Sequence, residues 1–270
     1  MPEKLVEKEE AVAVVQKTEM ADAHCHLDLF HDGEPVRAAI RKGVLTIITN
    51  GVNRQTSRLA MEISDHKNIF PAVGIDPEHA LKIKDEEIDD EINMMRDWIK
   101  RERSKIVAVG EIGLDYTKAK TFEEQAKQRT VFERMIDIAN DMVLPMSVHS
   151  RNSIEQVIEI LKEKKAQKVH LHFFEGGVGI AKEVEKLGYL ISIPPLESAK
   201  RKAVIRDVAI DHLMAESDSP AVGESPASVE LSLRMIAGIK GLTFERTAEQ
   251  LTLNTKKFFG THTSTGFMRG

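Results

Sequence analysis

Two imidazole side chains stand one residue apart near the start of this sequence, in the tripeptide His24-Cys25-His26. Because alternate residues of a β-strand point to the same side, His24 and His26 can bind one metal ion together. Further residues of metal-binding types occur in or after short apolar runs later in the chain: Glu111, His149, His172 and Asp218. Imidazole and carboxylate ligands in combination suit zinc, manganese or a similar divalent ion. The residue types therefore predict a metal centre.

The apolar runs that carry these residues are rich in β-branched side chains and are predicted to be strands. There are eight of them, at residues 20–24, 44–49, 69–74, 106–110, 143–149, 168–173, 189–193 and 213–217. Amphipathic stretches between them predict helices, as in the stripes Ile88, Ile92, Met95, Ile99 and Val131, Met135, Ile138, Met142. Strands that alternate with helices indicate a parallel sheet, and eight of them in about 200 residues favour an α/β fold of the closed (β/α)₈ TIM-barrel type.

One domain accounts for most of the chain, since no repeat or Pro/Gly-rich linker divides it. Residues 20–260 are predicted to form the barrel, a metal-dependent hydrolase domain. Residues 1–19 are an N-terminal extension, and the small, polar residues 261–270 are expected to be a disordered tail.

The candidate ligands lie near the C-terminal ends of the predicted strands, which converge on one face of a barrel and usually carry its catalytic residues. Their number predicts two ions, one held by His24, His26 and Asp218, the other by His149 and His172, with Glu111 bridging both. Two adjacent ions would activate a water and hold the oxygens of a phosphodiester. Asp218 is the predicted general base. Spacing alone does not decide between His170 and His172, because both lie on one face of a strand.

Five segments together resemble the TatD-type metal-dependent deoxyribonucleases, in the family's order, between about residues 21 and 260. They are residues 22–28 (Asp-Ala-His-Cys-His-Leu-Asp), 110–116 (Gly-Glu-Ile-Gly-Leu-Asp-Tyr), 144–151 (Leu-Pro-Met-Ser-Val-His-Ser-Arg), 172–176 (His-Phe-Phe-Glu-Gly) and 216–220 (Glu-Ser-Asp-Ser-Pro). The resemblance implies a TIM barrel with a two-metal hydrolytic site, typically acting on DNA. It also favours His172 over His170 as the ligand.

The chain departs from the family pattern at two positions. The family usually has Gly-x-His-Pro where this chain has Gly74-Ile75-Asp76-Pro77, and a small polar residue where Glu175 stands. Both changes add a negative charge, and Asp76 is expected to repel a phosphate.

Two residues beside the candidate ligands have predicted roles of their own. Asp115 is expected to orient a ligand or a loop rather than to bind metal directly. Arg151, which follows His149-Ser150, is predicted either to contact a substrate phosphate or to form a structural ion pair.

Composition limits the other function classes. The formal net charge is −5 and the pI is near 6.1, which argues against a protein whose whole surface binds nucleic acid. The single cysteine excludes a disulfide scaffold and fits a reducing compartment, so a cytoplasmic, soluble protein is expected. No apolar run approaches the roughly 20 residues that cross a bilayer.

The leading interpretation is a phosphodiesterase that cleaves DNA, with exonuclease action as one form of that activity, and that uses two divalent ions (zinc, manganese or magnesium). A second class on the same barrel comprises amidohydrolases that cleave amides or esters, including aminoacyl-tRNA deacylases. Many of those bridge their metals with a carbamylated lysine, and the presence of Glu111 at that position favours the nuclease. A non-catalytic scaffold is disfavoured because the ligand set is complete.

Overall fold

The structure, a computed structural model, describes residues 17–261. The expectations for the N-terminal extension up to residue 16 and for the tail from residue 262 lie outside the described residues. Eight strands form one sheet, and each is parallel to its neighbour in chain order. They are β1 (Met20–Cys25), β2 (Val44–Asn50), β3 (Ile69–Val73), β4 (Ala108–Asp115), β5 (Met146–Arg151), β6 (Val169–Leu171), β7 (Leu190–Ile193) and β8 (Leu213–Ala215).

Helices connect successive strands, as a parallel sheet requires. They are α1 (Glu34–Lys42), α2 (Arg54–Ile63), α3 (Pro77–Lys82), α4 (Ile88–Arg101), α5 (Phe122–Met142), α6 (Ile154–Glu163), α7 (Val178–Lys186), α8 (Ala199–Asp207), α9 (Val229–Lys240) and α10 (Phe244–Phe259). Within residues 17–261, none of these helices is long and apolar enough to cross a membrane.

The first and last strands meet just beyond the end of β8. Asp218 N donates to His24 O at 3.0 Å, and His26 N donates to Ser219 O at 2.8 Å. These bonds bring the two ends of the sheet together, so the predicted (β/α)₈ barrel is confirmed. They also place Asp218 beside the two histidines of β1, although about 190 residues separate them in sequence.

The core lies between the strands and the helices that cover them. The stripes predicted for two helices face it: Ile92, Met95 and Ile99 of α4 and Val131, Met135 and Ile138 of α5 are buried. Full burial of such a side chain contributes about 1.5–3 kcal/mol. This apolar shell holds the strands, and therefore their C-terminal ends, in fixed positions.

Strand β4 is longer than its apolar run predicts, extending to Asp115 rather than to Gly110. Two glycines let it pass close to β5: a Cβ on Gly110 would lie 2.6 Å from Ser147 Cβ, and one on Gly113 would lie 2.0 Å from His149 O. The backbone pairing of β4 with β5 therefore continues past the apolar residues, as far as Asp115. As a result Glu111 lies inside the strand, with its side chain buried.

Candidate metal centre

Four of the six predicted ligands form a first group: His24 and His26 at the end of β1, Glu111 within β4 and Asp218 just after β8. Glu111 Oε2 lies 3.5 Å from His24 Nε2 and 3.3 Å from His26 Nε2. Asp218 Oδ1 lies 4.0 Å and 3.8 Å from the same two nitrogens. Four donor atoms thus surround one small volume.

The second group lies on the other side of Glu111, at the ends of β5 and β6. Glu111 Oε1 is 2.8 Å from His149 Nδ1 and 3.1 Å from His172 Nε2, and these two nitrogens are 3.1 Å apart. Each oxygen of Glu111 therefore faces one group. The structure brings all six predicted ligands together around Glu111.

The chemistry of these donors fits bound cations. The ligand atoms of each of three overlapping sets lie within 4.8 Å of one another: His24, His26 and Glu111; His24, His172 and Asp218; Glu111, His149 and His172. The rings of His24 and His172 stack at 3.8 Å between centroids. His26 Nδ1 lies 3.0 Å from Asn50 O, and since a carbonyl only accepts, Nδ1 carries the proton and Nε2 is left with its lone pair. That nitrogen is the one that faces Glu111.

Burial and close neighbours shift the pKa values of these groups. Burial opposes ionisation of Glu111, but the adjacent His172, His149 and His24 hold its pKa well below the usual value. Burial also opposes protonation of His149, yet hydrogen bonds to Asp115 and Glu111 raise its pKa to about 10. The centre thus has a carboxylate that stays ionised and a strongly basic imidazole.

Asp115 lies behind His149, at the end of β4. Its Oδ2 is 3.4 Å from His149 Nε2, and its Oδ1 accepts from Thr117 N at 2.7 Å. Burial opposes its ionisation, but the bonds from His149 and Thr117 lower its pKa to about 2. Asp115 contacts the far side of His149, where a carboxylate fixes the orientation of a metal-binding ring.

Asp218 occupies the mouth of the centre, whereas Glu111 lies below it. The backbone of Asp218 has φ 46°, in the left-handed region that a non-glycine residue adopts only when its surroundings impose it. Burial raises the pKa of its carboxyl group, although the nearby His172 and His26 act against this rise. With His149 and His172, Asp218 lines a cavity of about 650 Å³ that opens above the centre.

The wall of this cavity carries both charges and aromatic surface. Arg151, Lys200 and Arg201 line it, together with Glu175 and Phe173. Of the alternatives for Arg151, the structural ion pair is not found: among residues 17–261, no carboxylate oxygen lies within the 4.0 Å limit of a salt bridge to Arg151. The guanidinium of Arg201 lies 5.5 Å from the centre of the Phe173 ring.

Asp76, the first departure from the family pattern, begins α3. Its carboxylate accepts from His79 N at 2.6 Å and so caps that helix. Burial and the charge of Glu111 raise its pKa to about 7. Since the charge of Glu111 acts on it, Asp76 adds another, partly buried carboxyl group near the metal centre.

Two residues near the centre were not predicted to belong to it. His170 is fully buried below the ligands, and Glu216 is fully buried behind His172, with Oε2 3.8 Å from His172 Nδ1. The alternation that selected His24 and His26 also places Glu216 on the same side as Asp218, and it could have identified Glu216. For His170, the sequence indicated only that it shares a strand face with His172, and spacing alone did not decide which of the two binds metal.

Comparisons with known proteins identify related sequences and structures. The sequence profile of the family described as "TatD related DNase" matches residues 21–260. Human "Deoxyribonuclease TATDN3" is 30% identical over 258 residues, which cover 89% of this chain and 94% of that protein. The Bacillus subtilis "Uncharacterized metal-dependent hydrolase YabD" is 30% identical over 259 residues, with 88% and 98% covered. The crystal structure of YJJV, a TatD homologue from Escherichia coli, superposes with a TM-score of 0.80 at 21% identity, covering 91% of this chain and 99% of that one.

Proposed function

Because this chain belongs to the TatD-related DNase family, we propose that it is a metal-dependent hydrolase that cleaves the phosphodiester bonds of DNA with two divalent ions. One observation carries the proposal: Glu111 lies between two groups of metal-binding side chains and turns one oxygen toward each. A carboxylate in this position can bridge two cations and offset their mutual repulsion.

Each group of ligands would hold one ion. His24, His26 and Asp218 would bind the first, and His149 and His172 the second, with Glu111 shared between them. When bound, two such ions supply an acidic water and charge that stabilises the phosphate oxygens. Zinc, manganese and magnesium are the candidates, and the four imidazoles favour zinc or manganese over magnesium.

Asp218 is the proposed general base. It reaches the cavity above the centre, and Glu111 is not among the residues that line that cavity. A water that attacks phosphorus must lose a proton, and the Asp218 carboxylate can accept it. Burial raises the pKa of this group, which strengthens it as a proton acceptor.

Arg151 is the proposed phosphate contact at the rim of the cavity, where its side chain is exposed. We expect Arg151→Ala to weaken binding of a phosphorothioate oligonucleotide and to reduce the salt slope of log Kd by about 1, as loss of one phosphate contact does. Fluorescence anisotropy at several salt concentrations measures both quantities.

The matched control for Arg151 is Lys186→Ala. Lys186 is an exposed cation at the C-terminal end of α7, on the opposite end of the barrel. The Lys186→Ala variant loses the same charge as Arg151→Ala, but at a place remote from the cavity. It should therefore leave both the affinity and the salt slope nearly unchanged. A salt slope that is equal in the Arg151 variant and the wild-type protein would remove Arg151 from the substrate site.

The substrate class is tested by comparing metal-dependent release of nucleotides from DNA with turnover of aminoacyl-tRNA and of small esters. The proposal expects DNA to be the best substrate by far. Faster hydrolysis of aminoacyl-tRNA or esters would instead identify an amidohydrolase-type enzyme on the same barrel.

A further inference from the structure

The cavity above the metal centre has room for more than a phosphate group. Its volume of about 650 Å³ lies within the range of roughly 300–1,000 Å³ that holds a whole small molecule. One side of it, the apolar wall, comes from the loops after β6, β7 and β8 and consists of Phe173, Leu196, Ala221 and Val222. The cavity can therefore receive a second part of the substrate, of apolar character, beside the phosphate.

The apolar wall directly adjoins the proposed metal ligands. Phe173 follows His172 in the sequence, and Val222 N donates to Asp218 O at 2.8 Å. Leu196, a large apolar side chain, is 44% exposed. A substrate group that covers this surface would lie next to the phosphate and would remove apolar area from water.

Hydrogen bonds within the loop after β7 hold its part of the wall in place. Leu196 N donates to Pro194 O at 2.8 Å, and Ser198 Oγ accepts from Arg201 N at 3.1 Å as the cap of α8. The Arg201 side chain returns to the same loop, because its Nη1 donates to Leu196 O at 2.6 Å. A surface formed in advance loses less entropy when a ligand binds to it.

Arg201 and Phe173 together present a surface suited to a planar ring. The guanidinium of Arg201 lies 5.5 Å from the centre of the Phe173 ring. Within residues 17–261, no carboxylate oxygen lies within 4.0 Å of this guanidinium, so no salt bridge covers it. Nucleobases stack on aromatic rings and on the planes of arginine side chains. The pair is therefore chemically matched to a base.

Glu175 distinguishes a base from a second phosphate as the occupant of this space. Its side chain lines the same cavity, and among the described residues it has neither a salt bridge nor a hydrogen-bond donor. An ionised carboxylate only accepts hydrogen bonds, as a phosphodiester oxygen does, so the two groups repel each other. The exocyclic amino groups of adenine, cytosine and guanine donate, and a glutamate accepts such a bond from cytosine N4.

We propose that the apolar wall, with Arg201, is a nucleobase subsite of the catalytic cavity. Glu175 gives this subsite a preference for bases that carry an exocyclic amino group over thymine, whose one ring N–H lies between two carbonyl oxygens. The inference rests on the proposed function in placing the phosphate of a nucleotide at the metal centre.

Binding of mononucleotides tests the subsite without requiring hydrolysis. Isothermal titration calorimetry in the presence of Mn²⁺ compares dAMP, dCMP, dGMP and dTMP with the base-free analogue 1,2-dideoxyribose 5-phosphate. We expect the three amino-bearing nucleotides to bind at least about fivefold more tightly than the analogue, the lower limit for one stacked base, and dTMP to bind more weakly than these three. The 3′-monophosphates and their base-free analogue are measured in parallel, because a base on either side of the scissile phosphate can reach the wall.

Leu196→Ser tests the wall by replacing an exposed apolar contact with a small polar one. It should lower the affinity of all four nucleotides toward that of the base-free analogue and leave the analogue itself unchanged. Leu253→Ser is the matched control: Leu253 is 49% exposed on α10 and lies beside Glu19, which precedes β1, at the other end of the barrel. It should change no affinity, and circular dichroism checks that both variants are folded.

Glu175→Gln tests the base preference. A glutamine amide both accepts and donates, so it can bond thymine as well as the amino-bearing bases. The ratio of dCMP to dTMP affinity should therefore fall by about fivefold or more, the scale of one specific contact to a base. The ratio cancels the general gain that any phosphate receives when a negative charge is removed. Glu249→Gln, at an exposed position of α10, should leave the ratio unchanged.

These affinities separate the subsite from the proposed function. Equal affinities for the nucleotides and the base-free analogues in both series would overturn the subsite, even in an enzyme that cleaves DNA. An unchanged ratio of dCMP to dTMP affinity in Glu175→Gln would overturn the role of Glu175. The expected affinities in a protein that does not cleave DNA would support the subsite and contradict the proposed substrate.

Discussion

Replacing Glu111 with glutamine is expected to lower the rate of DNA hydrolysis on the order of 10³-fold or more, the scale of loss when a central catalytic group is removed. The substitution keeps the volume but removes the charge that lies between the two ligand groups. Two adjacent cations would then repel each other with less compensation. One ion should therefore bind much more weakly, which metal analysis of the purified variant measures together with the rate.

The loss should exceed that caused by His149→Ala, because His149 belongs to one ligand group and Glu111 to both. Stability should change far less than activity: we expect Tm to move by no more than about 4 °C, which is about 1 kcal/mol for a domain of this size. Glu249→Gln, at an exposed position of α10, is the matched control. Full metal occupancy and near-normal turnover in Glu111→Gln would place the bridge on another residue.

Replacing Asp218 with asparagine is expected to lower turnover by about 10²–10⁴-fold, the range that a general base contributes. Asparagine cannot accept the proton of the attacking water, although its side chain still fills the mouth of the centre. The ion held by His24 and His26 should bind more weakly, and the group of His149 and His172 should be much less affected. Single-turnover hydrolysis and metal titration measure these effects separately.

Asp211→Asn is the corresponding control, since Asp211 is exposed just before β8, at the other end of the strand. It should retain normal turnover. Loss of a general base should lower turnover by at least about 100-fold. If Asp218→Asn kept more than about a tenth of wild-type turnover, another group would have to accept the proton.

The sequence predicts the barrel well because its strands and helices differ in apolar periodicity. All eight predicted strands are present, and the stripes of α4 and α5 face the core. The ends of strands are less predictable. Strand β4 continues through Glu111 to Asp115, although this segment is no longer uniformly apolar. It remains a strand because its backbone pairs with β5 and because two glycines let the two strands approach closely.

The positions of five of the six candidate ligands follow from one topological rule, the convergence of strand ends on one face, whereas Glu111 lies within β4. The contacts between side chains do not follow from it. Ser147 lies within hydrogen-bond distance of both His24 and His170, and ordinary serines in apolar strands give no signal of such contacts. Likewise, Asp76 caps a helix and lies close to Glu111 at once, which requires the three-dimensional structure.

Metal content measured together with activity tests the central claim most directly. Protein purified without chelator and analysed by elemental analysis, or crystallised and measured by anomalous scattering, is predicted to contain two divalent ions per chain at the six ligands. Chelation should abolish DNA hydrolysis, and added Mn²⁺ or Zn²⁺ should restore it. An enzyme that remains fully active on DNA with no more than trace metal would contradict the account.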